Sequence, residues 1–180
     1  MSRSARAAWA AIGLVGVLGA TSARAADGPG IEAKAAFAKL KTLAGEWKVE
    51  GDVAGHGGGH EQKVIYSVTS AGSALMQHQF PGTDHEMISM YHLDGNDLKM
   101  THYCAIGNQP RMKLDRQAST PDVLVFVFDG GTNFDPAKDL HIHDLKTTFK
   151  DGGQVEEAWE AYAGGKKAHG TTFVLSRVKP

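Results

Sequence analysis

From Ile31 to Ala44 apolar residues recur every three to four positions, with Ile31, Ala35 and Ala38 interleaved with Phe37, Leu40 and Ala44 in a stretch rich in Ala and Lys. That period predicts one amphipathic helix. Gly45 is its expected stop, since glycine adopts the left-handed conformation without a Cβ clash. Beyond Gly45 the period shortens to two, and short apolar-polar runs alternate with turn residues. Ten strands are predicted: Glu46 to Val53, Glu61 to Ser70, Ser73 to Phe80, His85 to Leu93, Leu98 to Ala105, Arg111 to Ala118, Val123 to Phe128, His141 to Lys150, Gln154 to Tyr162 and Lys167 to Val178. The Asp94-Gly95-Asn96-Asp97 hairpin is the clearest turn, because Gly and Asn tolerate the positive φ it needs. Val123 to Phe128 is apolar at every position, which predicts cover on both faces or on its outer face by a neighbour. Hairpin-connected strands leave two open edges unless the sheet closes on itself. The expected fold is therefore all-β, a ten-stranded antiparallel up-and-down β-barrel preceded by one capping α-helix, with a two-sheet sandwich as the alternative.

The amino end breaks this pattern. Arg3 and Arg6 precede an uncharged run from Ala7 to Ala20, and Ala23-Arg24-Ala25 follows. A basic start, a short apolar run and a small-residue site predict a signal peptide over residues 1–25, cleaved after Ala25. The run is too short to span a bilayer, and no cysteine follows to take a lipid anchor. The expectation is an exported protein, periplasmic or secreted, with a single domain from 26 to 180 and no stable membrane anchor. Loss of Arg3, Arg6 and Arg24 leaves 16 cations against 20 anions, a formal charge of −4. An acidic domain lacks the basic stripe that nucleic acid or an anionic membrane requires. Cys104 is the only cysteine, so no intrachain disulfide can form.

Leu43-Ala44-Gly45-Glu46-Trp47, directly after the helix, resembles the Gly-x-Trp signature of the calycin superfamily, which includes lipocalins, fatty-acid-binding proteins and nitrobindin-like haem barrels. The resemblance implies that Trp47 closes one barrel end against Arg177 of the last strand, with Gly45 part of the same closing motif. A guanidinium over an indole face gives that pairing a physical basis. The segments Phe80 to Met87, Thr101 to Cys104 and Gly107 to Met112 are similar to an uncharacterised family of exported bacterial lipocalin-like proteins.

Counting back from the Asp94 to Asp97 turn places Met87, Ser89 and Tyr91 beside Cys104, His102 and Met100 on one sheet face. This face is read as the ligand-binding lumen, a pocket for a hydrophobic or amphipathic molecule, with a filled core as the alternative. Glu86, His92, Lys99 and Thr101 take the outer face. The Gly107-Asn108-Gln109-Pro110 turn places Asn108 and Gln109 at the rim, as ligand contacts or simply as a turn.

Several other chemistries draw on the histidines. His141 and His143 stand two apart on one strand and so share a face; with His102 they would form a transition-metal site. Their His-x-His spacing is similar to that of cupins, but Leu145, Lys146 and Thr147 stand where a cupin supplies its Glu. Haem, as in nitrobindin-like barrels, would use His143, His102 or His169. His56 and His60 flank Gly57-Gly58-Gly59, a loop that would need His85 or His169 to complete a metal site. A hydrolase or isomerase would use Cys104 and His102, which one strand repeat sets about 7 Å apart, with Asp84, His85 and Glu86 as nearby acids and bases. No catalytic residue is assigned and no cofactor is predicted on this reading, which leaves haem or a transition metal as the alternative.

Overall fold

The computed structural model describes residues 30–50 and 62–179. The signal-peptide segment, the end of the first predicted strand and the loop with His56 and His60 lie outside the described residues. One helix, α1 (Ala33–Lys41), precedes ten strands. They are β1 (Gly45–Glu50), β2 (Lys63–Thr69), β3 (Ala74–Gln79), β4 (Met87–Asp94), β5 (Asp97–Tyr103), β6 (Gln109–Leu114), β7 (Val123–Thr132), β8 (His141–Phe149), β9 (Val155–Ala163) and β10 (Lys166–Arg177). Each strand pairs antiparallel with its sequence neighbours, and β10 returns to β1 through the register Trp47 to Arg177, which closes the barrel. Closure leaves no free edge, so the two-sheet sandwich is excluded.

α1 buries Ala33, Ala36, Phe37 and Leu40, the i, i+3, i+4, i+7 face of its period, and packs against β2, β4 and β5. It is shorter than the sequence pattern suggests. After Lys41 the chain turns at Thr42 so that Leu43 is buried, while Ala44 leads directly into β1. Among the described residues no helix is long and apolar enough to cross a membrane.

The helix covers one end of the barrel, the end of the β2–β3, β4–β5, β6–β7 and β8–β9 turns. There Trp47, Leu75, Leu98, Leu124, Val155 and Leu175 are buried beneath it. The Trp47 indole N–H donates to the Leu43 carbonyl at 2.7 Å, and the Arg177 guanidinium lies 4.4 Å from the indole centre. Arg177 also donates from Nη1 to the Ala44 carbonyl at 2.9 Å and from Nη2 to the Thr42 carbonyl at 2.8 Å. One cation therefore ties the helix exit to the last strand. Gly45 holds φ +131° with Arg177 Nη1 only 2.8 Å from where a Cβ would stand. Any other residue at position 45 would combine a strained φ with a clash.

The largest departures from the expected strand ends are in β6 and β7. β6 starts at Gln109, inside the predicted rim turn, and ends at Leu114; β7 runs past Phe128 to Thr132 along β6. Leu124 and Phe126 are buried, but Val123, Val125 and Val127 remain partly exposed on the outer face. A closed barrel has no second layer to cover that face, so the expected two-sided burial does not occur.

The β7–β8 ladder runs only from Val123–Thr148 to Phe126–Leu145. Beyond it the Phe128 N–H donates to Asp144 Oδ1 at 3.3 Å, so a side chain takes the place of a ladder bond. A register shift between Ile142 and Asp144 against β9 makes His143 the extra residue of a bulge. Both irregularities lie at the end away from α1.

Candidate ligand cavity

Inward positions follow the pleat from the covered end toward the other. Tyr91 and Met100 face each other across β4–β5, then Ser89 and His102; Met87 and Cys104 continue the face past the last paired residues. Met112, beside Met100 on β6, then Phe126 on β7, Leu145 on β8 and Glu157 on β9 carry the buried lining round the barrel. At mid-depth the interior is filled by a polar cluster. Glu157 accepts from Tyr66 Oη and from Gln77 Nε2 at 2.9 and 2.8 Å, and the Trp159 indole N–H reaches it at 3.2 Å. Tyr91 Oη donates to Gln77 Oε1 at 3.0 Å. Burial raises the Glu157 carboxyl above its usual range, opposed by these hydrogen bonds. Burial, and then the Glu157 charge, also hold the Tyr66 hydroxyl well above its ordinary value.

Beyond this cluster a cavity of about 170 Å³ opens toward the end away from α1. Its deep wall is Gln79, His102, Trp159 and Phe173, all buried. Met87, Cys104, Ile142 and Ala161 form its sides, and the exposed His85, Ile106, Leu140 and His169 surround the outer part. Among the described residues the lining contains no Asp, Glu, Lys or Arg.

His102 is held by Ser89, whose Oγ lies 2.9 Å from Nδ1, and its ring sits 5.1 Å from that of Trp159. Burial lowers its pKa to about 4, so the ring is neutral at neutral pH. Among the described residues its Nε2 finds no partner, nor do Gln79 Oε1 and His141 Nε2, and all three residues line the cavity. Each such buried atom left unpaired costs about 1–3 kcal/mol. His141 Nδ1 lies 2.9 Å from the Asp139 carbonyl, which only accepts, so that nitrogen carries the proton. In the neutral ring Nε2 then presents a lone pair.

Of the lumen residues expected from sequence, Met87, His102 and Cys104 line the cavity, whereas Ser89, Tyr91 and Met100 are packed deeper in the interior. Asn108 and Gln109 do not line it. Asn108 Nδ2 donates to the Leu140 carbonyl at 2.8 Å, while Gln109 Oε1 accepts from Thr132 Oγ1 at 2.9 Å and Asn133 Nδ2 at 2.8 Å. Both therefore tie rim loops together.

The proposed set of His102, His141 and His143 does not assemble. His141 and His143 stay together, with ring centres 5.6 Å apart beside Phe128 and Tyr162, but His143, the bulge residue, stacks on Tyr162 at 3.8 Å, faces Asp144 at 3.0 Å and does not line the cavity with His102. Among the described residues no group of three or more His, Cys, Asp or Glu is placed to hold a metal ion. Haem does not fit either. An apolar cavity of about 150 Å³ accommodates one benzene ring, so a tetrapyrrole would have to displace the walls. His169 and His102 line the space but are not given room for the group between them.

A thiol mechanism is equally unsupported. The Cys104 Sγ lies 4.0 Å from Met87 Sδ, burial pushes its pKa up, and the Nδ1 of His102 is committed to Ser89. A protonated thiol without an adjacent base is a poor nucleophile. Glu86 accepts from the Gly82 N–H at 2.7 Å and faces His78 at 2.9 Å, outside the cavity.

Glu157, Gln77, Gln79 and Trp159 were not singled out by the sequence reading. The signal was present in β9, whose alternating letters put Val155, Glu157, Trp159 and Ala161 on one face. A Glu within such a face marks a buried polar cluster.

The closed ten-stranded barrel is consistent with a calycin-like barrel in the general sense. No family model matches the chain, and no curated protein matches it.

Proposed function

We propose that this is an exported small-molecule binding protein of the bacterial lipocalin-like kind, which holds a hydrophobic or amphipathic ligand in the barrel lumen without transforming it. The observation that supports this is the cavity itself. It has apolar walls and a deep end where the buried Gln79 Oε1 and His102 Nε2 have no partner among the described residues. Apolar walls supply affinity, and a few unpaired polar atoms fix orientation. Export follows from the amino-terminal pattern, and the acidic mature charge argues against nucleic acid or an anionic membrane as partner.

Mass spectrometry of the natively purified mature protein tests both parts. The expected results are an amino terminus at Ala26 and a small molecule released at near-stoichiometric amount on denaturation. An Ala161→Phe variant, which places a ring in the cavity, is expected to lose that molecule while keeping its far-ultraviolet circular dichroism. Retention by the folded variant would overturn the lumen as the binding site.

A further inference from the structure

We infer that the cavity selects a neutral, single-ring molecule that donates a hydrogen bond, of which a phenol is the simplest member. This rests on the cavity being a ligand site, and goes beyond it by naming the chemical class.

Three observations converge. The first is charge: with no Asp, Glu, Lys or Arg among the described residues of the lining, a carboxylate or an ammonium there would be buried without a carboxylate, ammonium or guanidinium counter-ion from them. A fatty acid, whose head group needs a fixed cation, is disfavoured on that ground. The second is size. About 170 Å³ compares with the roughly 150 Å³ that takes one benzene ring, too little for a long chain or a fused ring system. Trp159 and Phe173 provide aromatic surface for that ring.

The third is the polarity of the unpaired atoms. Gln79 Oε1 is an acceptor, and His141 Nε2 becomes one because the Asp139 carbonyl holds the proton on Nδ1. His102 Nε2 adapts, since the Ser89 hydroxyl can donate to Nδ1 or accept from it. A ring O–H satisfies an acceptor here. An ether or a hydrocarbon of the same size leaves the acceptors unpaired, and sites built to bond a hydroxyl discriminate against analogues that lack it.

Cys104 and Trp159 are native reporters, because both line the cavity. Ligand-stripped mature protein is titrated with phenol, with toluene as its isostere and with benzoate, following tryptophan fluorescence and the rate of Cys104 alkylation by iodoacetamide. Phenol is expected to saturate the fluorescence change and slow alkylation, to bind about five- to tenfold more tightly than toluene, and benzoate to do neither at pH 7. Gln79→Met, which removes an acceptor at similar volume, is expected to narrow the phenol-to-toluene ratio. Equal binding of toluene, competition by benzoate, or no effect of phenol on either reporter would overturn the inference. If Gln79→Met fails to fold, the wild-type comparison of phenol with toluene decides alone. A long-chain lipid retained through purification would sustain the lumen as a binding site while overturning this ligand class. A cavity that retains no molecule and responds to no probe would remove both.

Discussion

His102 shows how one buried side chain couples the cavity to pH. Its folded pKa of about 4 lies below the ordinary histidine value of 6.5, and burial is the cause. As pH falls through 6.5 the unfolded chain takes up a proton that the native imidazole refuses, so stability is lost progressively down to about pH 4. The ceiling of that loss is about 3 kcal/mol for a shift of this size. Glu157 acts in the opposite sense, because its raised pKa contributes stability that is present below the unfolded carboxyl value and lost as pH rises through the folded one. Replacing His102 by Gln keeps a partner for Ser89 and removes the titration. The wild-type urea midpoint is therefore expected to fall more than that of His102→Gln between pH 7 and pH 4.5, and parallel midpoints would refute the assignment. At this scale the sequence was informative only next to a well-defined turn. His102 could be placed in the lumen because the Asp94 to Asp97 hairpin fixes the register of β4 and β5. Glu157 alternates in the same way with Val155, Trp159 and Ala161, but a carboxylate is the residue type least expected on an inward face, so its place there is not read from type alone.

At the scale of elements, the link between α1, β1 and β10 depends on one glycine. Gly45→Ala has to accommodate a positive φ and a methyl group 2.8 Å from Arg177 Nη1, which donates to the Ala44 carbonyl. The expected cost is about 1–3 kcal/mol. Trp47→Ala, which opens a hole beneath the helix, is expected to cost about 3–5 kcal/mol. Chemical denaturation should place the two variants in that order. Gly45→Ala with wild-type stability would show that the guanidinium moves aside freely. The Trp47 and Arg177 pairing was legible because the motif gives one partner and strand closure gives the other. The bulge at His143 was not. A bulge inserts one residue without changing the local composition, so the alternation that groups His141 and His143 with the inward Leu145 failed at residue 143; the two rings stay 5.6 Å apart beside Phe128 and Tyr162, and the expected set with His102 does not form. The same reason accounts for β7, whose continuation through Asp129, Gly130 and Gly131 has no apolar alternation to reveal it.

Over the whole molecule the barrel is stable at one end and loosely tied at the other. Under α1 the interior is continuous apolar packing closed by Trp47, and every neighbouring pair of strands is hydrogen-bonded. At the far end β7 and β8 part company beyond Phe126 and Leu145, and the gap is bordered by rings rather than backbone bonds, with Phe134 on His141 at 4.6 Å and Phe128 on His143 at 4.7 Å. His141 and Ile142, at the start of β8, also line the cavity. Amides with no ladder partner open at lower cost than those within a complete sheet. Hydrogen exchange read by mass spectrometry is therefore expected to be faster over 127–132 and 141–144 than over 123–126 and 145–149. A bound ligand touches the β8 side of this gap, so saturation should slow exchange at 141–144 far more than at 145–149. Uniform protection along β8 in the free protein would contradict the splayed ladder. Protection gained equally along the whole strand would mean that the ligand stabilises the barrel globally and does not close this seam.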